Sequence, residues 1–255
     1  MTPSIPLTVA ASYPAQNSLR SRGHVIVLPG RGESAGLYQR LGERIAYDGY
    51  TVSVVALPEL SAIDGEWLDR VVLWPGAHDA GEITVIGSDS GAALAVHLAD
   101  RLGIGAAVLA GFGGLDRVAE PATGSGDGDA RLSARSACPL YLGRLTDGSA
   151  DLAAPAAQQF GQEAAARLAT AVLTVPVLAV HGREDPIAPL DQAVRHYRSV
   201  AADAEIVTVA GGLHDILNDV AHRSVAARIV QFLEGRGEPV LEPVALEPVL
   251  WEQAA

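Results

Sequence analysis

The sequence predicts an α/β protein: a mostly parallel sheet with helices on both faces and a small lid insertion. Three observations predict it. Short apolar runs alternate with amphipathic segments along the chain, which is the pattern of strands joined by crossover helices. Two Gly-rich turns, Pro29-Gly30-Arg31-Gly32 and Gly87-Ser88-Asp89-Ser90-Gly91, each follow a buried apolar run. The length of 255 residues and the hydrophobic fraction of 49% suit one domain, 1–255, with a large core.

Taken in order, the N-terminal twenty residues offer an edge strand. Residues 24–28 (HVIVL) read as a buried strand that enters the first Gly-rich turn. Residues 35–47 carry Leu37, Leu41 and Ile45 at helical spacing and stop near Gly49. Residues 51–57 form a second strand, and 63–74 are partly helical. A strand at 83–86 runs through the second turn into a helix at 90–102, followed by a strand at 106–110. After an interval come a strand at 175–180, a helix at 190–200, a strand at 205–209 and a long helix at 215–233.

Two segments break this rhythm. Residues from about 112 to 172 are too long for a plain crossover. They hold a Gly/Asp-rich stretch at 121–129 and an Ala-rich, helix-compatible piece at 153–171. An insertion at this point lies over the carboxyl ends of the strands, where open α/β sheets bind ligands, so it reads as a lid. The tail 235–255 repeats Glu-Pro-Val at 238–240, 242–244 and 247–249. Proline at that density prevents helix and favours extended chain, either packed on the body or loose; a partner-binding strand is the sharper reading.

Composition narrows the chemistry. A net charge of -12 disfavours nucleic acid and anionic membranes as partners. The one cysteine, Cys138, cannot form an internal disulfide, which suits a cytoplasmic location. The N-terminus lacks a signal-peptide pattern, and no apolar stretch spans a bilayer. Every basic residue is arginine. Without lysine there is no Schiff-base, pyridoxal-phosphate or P-loop chemistry. No dinucleotide fingerprint or metal-ligand spacing is present, so no cofactor and no metal are expected. The expected partner is a small-molecule substrate; the oligomeric state is left open.

The second turn carries the central motif, Thr84-Val-Ile-Gly-Ser-Asp-Ser-Gly-Ala92. A buried strand, a Gly-x-Nuc-x-Gly turn and an Ala-rich helix form a nucleophile elbow. Its glycines are required because the backbone turns so sharply. The central residue is strained, with its side chain exposed before the positive end of the helix. Here that residue is Asp89. Read one residue later, Ser90 is the nucleophile, flanked by Ser88 and Ala92. The strand ending at Gly87 and the helix opening at Gly91 favour Asp89.

These residues resemble the α/β-hydrolase superfamily over roughly residues 24 to 234. The body is most similar to the lysophospholipase and monoacylglycerol-lipase group. The likeness rests on Val27-Leu-Pro-Gly-Arg-Gly-Glu33, on the elbow, and on His181-Gly-Arg-Glu-Asp-Pro-Ile-Ala-Pro189 followed by Gly211-Gly-Leu-His-Asp215. The resemblance implies the α/β-hydrolase fold. It makes Asp185 the acid that orients the histidine, where a turn aspartate is the bland alternative. It makes His214 the proton-transfer residue, its two preceding glycines letting the imidazole reach the elbow; a surface histidine is the alternative. It implies an oxyanion hole from the N–H groups of Ser90 and Arg31. The other histidines are expected to be structural or exposed.

Aspartate in place of the family's usual serine changes the chemistry. A carboxylate attacking a carboxylic ester gives a poor anhydride intermediate, but it attacks saturated carbon bearing a leaving group well. This resembles epoxide hydrolases and haloalkane dehalogenases, which share the elbow aspartate. Those families usually place an aromatic residue straight after it, where this chain has Ser90, and activate epoxides with lid tyrosines. Tyr141 in the lid and Tyr38 after the oxyanion loop are the candidates here, with packing as the alternative for each. Three classes follow: a hydrolase acting through Asp89 on an epoxide or alkyl halide; an ester, thioester or lactone hydrolase using Ser90 or direct water attack; and a non-hydrolytic lyase, cyclase or binding protein.

Overall fold

The computed structural model describes residues 3–16, 21–115, 128–147 and 159–236. The tail from 237 onward, most of the Gly/Asp-rich stretch and the first part of the Ala-rich piece lie outside the described residues. In chain order the strands are β1 (Ile5–Pro6), β2 (Thr8–Tyr13), β3 (His24–Leu28), β4 (Thr51–Ala56), β5 (Val71–Val72), β6 (Ile83–Ser88), β7 (Ala106–Ala110), β8 (Val177–Gly182) and β9 (Glu205–Val209). The α-helices are α1 (Gln39–Tyr47), α2 (Gly65–Arg70), α3 (Ser90–Arg101), α4 (Gly128–Arg135), α5 (Pro139–Thr146), α6 (Gln162–Ala169), α7 (Leu190–Val200) and α8 (His222–Glu234).

The main sheet has seven strands in the order β2-β4-β3-β6-β7-β8-β9. All pair in parallel except β2, which runs antiparallel to β4 at the edge. The apolar runs are buried on both faces, and the period of two divides them between two cores. Ile26, Leu28, Val85, Ala107 and Leu109 join α3, α6 and α7 on one side. Val25, Val27, Ile86, Val108 and Ala110 face α1 and α8 on the other. A strand that must be apolar on both faces cannot alternate with polar residues, which is why these segments read as unbroken apolar runs.

Several boundaries differ from the sequence reading; the strand read at 175–180, for one, is Val177–Gly182, and the strand read at 83–86 continues to Ser88. Residues 35–47 split into a 3₁₀ turn, Ala35–Tyr38, and α1. The helix expected from 215 begins only at His222. Asp219 explains the delay. Its carboxylate accepts from Ser136 Oγ and Ala137 N–H on one oxygen (both 2.8 Å) and from Leu213 N–H on the other (2.9 Å). Those long-range bonds hold 213–219 as a loop, a tertiary demand that the local apolar spacing does not reveal. No helix among the described residues is long and apolar enough to cross a membrane.

Candidate active site

Strand β6 delivers Asp89 to the junction with α3. Asp89 has φ 45° and ψ −113°, and it is the one non-glycine residue with positive φ among the described residues. Such a conformation costs on the order of 1–3 kcal/mol and needs surrounding structure to hold it. The Asp89 N–H donates to the Ala110 carbonyl at 2.9 Å, tying the turn to β7. Glycine flanks it for steric reasons: a Cβ on Gly87 would strike the backbone of Gly91 and Ala92, and one on Gly91 would strike the Leu28 and Pro29 carbonyls. The residue at the tip is therefore Asp89, and Ser90 is the first residue of α3. As a helix-opening residue, Ser90 has an N–H with no acceptor within its own helix.

The carboxylate of Asp89 is shared between two sides. Oδ2 accepts from the Arg31 N–H at 3.4 Å and lies 3.7 Å from Arg31 Nε. Oδ1 lies 3.8 Å from His214 Nε2. That gap is too long for a hydrogen bond but short enough for charge attraction. His214 Nδ1 donates to Asp185 Oδ2 at 2.8 Å. The other Asp185 oxygen accepts from the Ile187 and Ala188 N–H groups at 2.8 and 2.9 Å. The structure thus brings Asp89, His214, Asp185 and Arg31 together in chain-distant contact, with Ser90 beside them.

His181 supports Asp185 from behind, a role the sequence reading did not see. Its Nε2 donates to the Ala188 carbonyl at 2.7 Å and lies 3.3 Å from Asp185 Oδ2, while Nδ1 accepts from Tyr197 at 2.9 Å. Burial lowers the His181 pKa and outweighs the pull of Asp185, so this ring is neutral. Burial alone would push the Asp185 carboxyl up, but the adjacent His214 charge and its hydrogen bonds hold it below the ordinary value.

His214 behaves differently. Burial pushes its pKa down, but the charges of Asp185 and Asp89 reverse this and raise it to about 10. The resting imidazole is consequently protonated at neutral pH. The sign of the stability linkage follows. A group with a raised folded pKa contributes stability below its unfolded value near 6.5, and loses it as pH rises through about 10. Urea unfolding between those limits should show a loss of up to about 1.4 kcal/mol per pH unit that disappears in His214→Gln. The comparison belongs in a Cys138→Ser background. Burial pushes that thiol's pKa up, but the Arg40 guanidinium and the backbone N–H groups of Tyr141 and Leu140 together bring it below its ordinary value, giving a contribution of opposite sign in the same window. An unchanged slope in His214→Gln would remove the assignment of a charged imidazole.

Tyr38 and Tyr141 lie beside these groups, each almost fully buried. Both hydroxyls meet Glu33: Tyr38 donates to Oε2 and Tyr141 reaches Oε1 at 2.7 Å. Glu33, Arg135 and Asp215, absent from the expected site, form a buried charged cluster with the two tyrosines. Glu33 and Asp215 stand within the motifs that the sequence displays, and charge next to a motif was the only available signal. Nothing local marks Arg135. Among the described residues, no cluster of three or more His, Cys, Asp or Glu side chains is arranged to hold a metal ion.

No protein-family model matches the sequence, and no curated protein matches it. Solved structures do share its architecture. A monoacylglycerol lipase from Paleococcus ferrophilus superposes with a TM-score of 0.67 at 18% identity, over 91% of this chain and 99% of that one. A soluble variant of the Saccharomyces cerevisiae monoglyceride lipase, bound to a substrate analogue, gives 0.65 at 15% identity, over 88% of this chain and 90% of that one. An esterase from Exiguobacterium antarcticum gives 0.63 at 13% identity, over 91% and 99%. At these identities the likeness is one of fold.

Proposed function

We propose that this chain, which has the α/β-hydrolase fold, is a hydrolase that attacks a small apolar or amphipathic electrophile, an epoxide or alkyl halide, through Asp89. One observation carries this reading. A carboxylate stands at the strained elbow with one oxygen on a loop N–H and the other facing an imidazole. No proton need be removed before a carboxylate attacks, so a protonated resting His214 is no obstacle to the first step.

In that step an Asp89 oxygen bonds to the electrophilic carbon and the carbon–halogen or carbon–oxygen bond breaks. The leaving group departs with the electron pair: a halide leaves as the anion, and an epoxide alkoxide takes its proton from solvent water, which regains one when His214 releases its own. Asp89 becomes a neutral ester. Loss of its charge removes one of the two influences that raise the His214 pKa, so the imidazole releases its proton more readily. Neutral His214, oriented by Asp185, then takes a proton from water as the hydroxide adds to the ester carbonyl. The Arg31 and Ser90 N–H groups stabilise the oxyanion. Collapse expels the alkoxide, which takes the proton from His214; the acid proton left on Asp89 then passes to His214, restoring the carboxylate and the protonated imidazole.

A single turnover in ¹⁸O-water tests this order of bonds. Excess enzyme with styrene oxide or 1-bromobutane should give an unlabelled alcohol oxygen and place the label in the Asp89 peptide, because water attacks the enzyme ester. Label in the product and none in Asp89 would exclude attack by the carboxylate.

The lipase and esterase structures favour a second reading, hydrolysis of an ester, thioester or lactone. Ser90 Oγ and His214 Nε2 are both buried without a hydrogen-bond partner among the described residues, which suits either group meeting a substrate or water. Hydrolysis of p-nitrophenyl butyrate with an acyl adduct on Ser90 would establish this reading over the first.

A further inference from the structure

Beneath the oxyanion loop lies a buried polar cluster that the proposed chemistry does not itself use. Arg135, at the end of α4 in the insertion, is 2% exposed. Its Nε donates to Asp215 Oδ2 at 2.7 Å and its Nη2 to Glu33 Oε1 at 3.2 Å. Its carbonyl accepts from the Asp215 N–H at 2.8 Å. The Tyr141 hydroxyl bridges the same two carboxylates, at 2.7 Å to Glu33 and 2.9 Å to Asp215.

Each carboxylate is joined to a group placed in the candidate site. Glu33 closes the oxyanion loop: its Oε2 accepts from the Gly30 N–H at 2.7 Å, and its own N–H donates to the Gly30 carbonyl at 3.1 Å. Arg31, whose N–H meets Asp89, lies inside that closed turn. Asp215 directly follows His214 in the chain. One guanidinium from the insertion therefore connects the two loops that flank Asp89.

Such a cluster is costly as a mere staple. Two carboxylates and a guanidinium must leave water, and well-packed apolar side chains of the same volume often stabilise a fold as well or better. What the ionic arrangement supplies is geometry: the planar guanidinium offers directed donors and fixes the separation of its acceptors.

We propose that Arg135 is a positioning residue for the second chemical step, holding the Arg31 N–H and His214 in register across Asp89. This inference rests on the Asp89 reading above. Attack by the carboxylate on carbon makes little demand on the two flanking loops. Hydrolysis of the ester uses both at once, the loop N–H for the oxyanion and His214 for the proton. Loosening the clasp slows ester breakdown and leaves ester formation largely intact. A merely structural residue would lower folding stability, or both steps together.

Rapid-quench intact-mass measurement with styrene oxide and 1-bromobutane reads the two steps separately. In Arg135→Ala, ester breakdown should fall about 100-fold, as for a displacement of roughly 1 Å at a reacting centre, and the alkyl-enzyme should accumulate. Ester formation should change by less than about 3-fold, and millimolar guanidinium should restore breakdown by refilling the site. Where Arg135→Ala does not fold, Glu33→Gln and Tyr141→Phe keep the shape and should show the same imbalance in weaker form. Glu33→Gln leaves one oxygen and one NH2, so a donor meets a donor either at the Gly30 N–H or at the Arg135 guanidinium. Wild-type ester breakdown in these variants, or an equal loss of both steps, overturns the role of Arg135. His214→Ala is run alongside. If it forms an ester on Asp89 while the Arg135 variants behave as wild type, only the present inference fails. If it forms none, the Asp89 reading fails and this one with it.

Discussion

Asp89→Asn turns over at least about 10⁴-fold more slowly than the wild type, the scale expected for loss of a nucleophile. The amide keeps the size and planarity of the carboxylate and meets the same backbone strain as aspartate, so the elbow at φ 45° is held by the same surrounding structure. What is lost is the anionic oxygen that attacks carbon. The variant also reports on its neighbour. An uncharged group at position 89 imitates the alkyl ester, so the His214 pKa should fall from about 10, because one of the two nearby anions is gone. Imidazole NMR titration measures this directly. Turnover at the wild-type rate, with peptide mass confirming that the amide has not reverted to aspartate, would remove Asp89 from the mechanism.

His214→Ala stops the same reaction halfway. The carboxylate still attacks, so mass spectrometry should find close to one alkyl group per chain, located on Asp89. Breakdown of that ester loses its base and falls by about 10⁴-fold, leaving the oxyanion N–H groups with little to act on. The contrast with Asp89→Asn is diagnostic, since one variant never forms the adduct and the other cannot release it. An acyl group on Ser90, or no adduct with any electrophile that the wild type consumes, would contradict the scheme.

Much of this arrangement was legible in advance for a physical reason. Strands buried on both faces must be apolar throughout, so β3 and β7 were readable to the residue, while the edge strand β9 was marked by its β-branched Ile206, Val207, Thr208 and Val209. The elbow was readable because only glycine fits between the turn and its neighbours. The edge strand β2 was expected only as an addition near the N-terminus, and the start of α8 was misplaced because Asp219 serves a loop instead of a helix. The described part of the insertion contains α4, α5 and α6, whose short spans carry weak local signals.

By itself the sequence determined the alternation of strands and helices, the sharp turn with aspartate at its tip, and the order Asp89, Asp185, His214. The first two follow from burial and from backbone sterics, which act between residues close in the chain; Asp185 and His214 were marked by the resemblance of their motifs to the α/β-hydrolase superfamily. Only the tertiary structure decided that His181 braces Asp185, that His214 sits between the carboxylates of Asp185 and Asp89, and that Arg135 links Glu33 to Asp215. Those are matters of charge and desolvation between segments far apart in sequence, and their strength depends on distances and burial that exist only after the chain has folded.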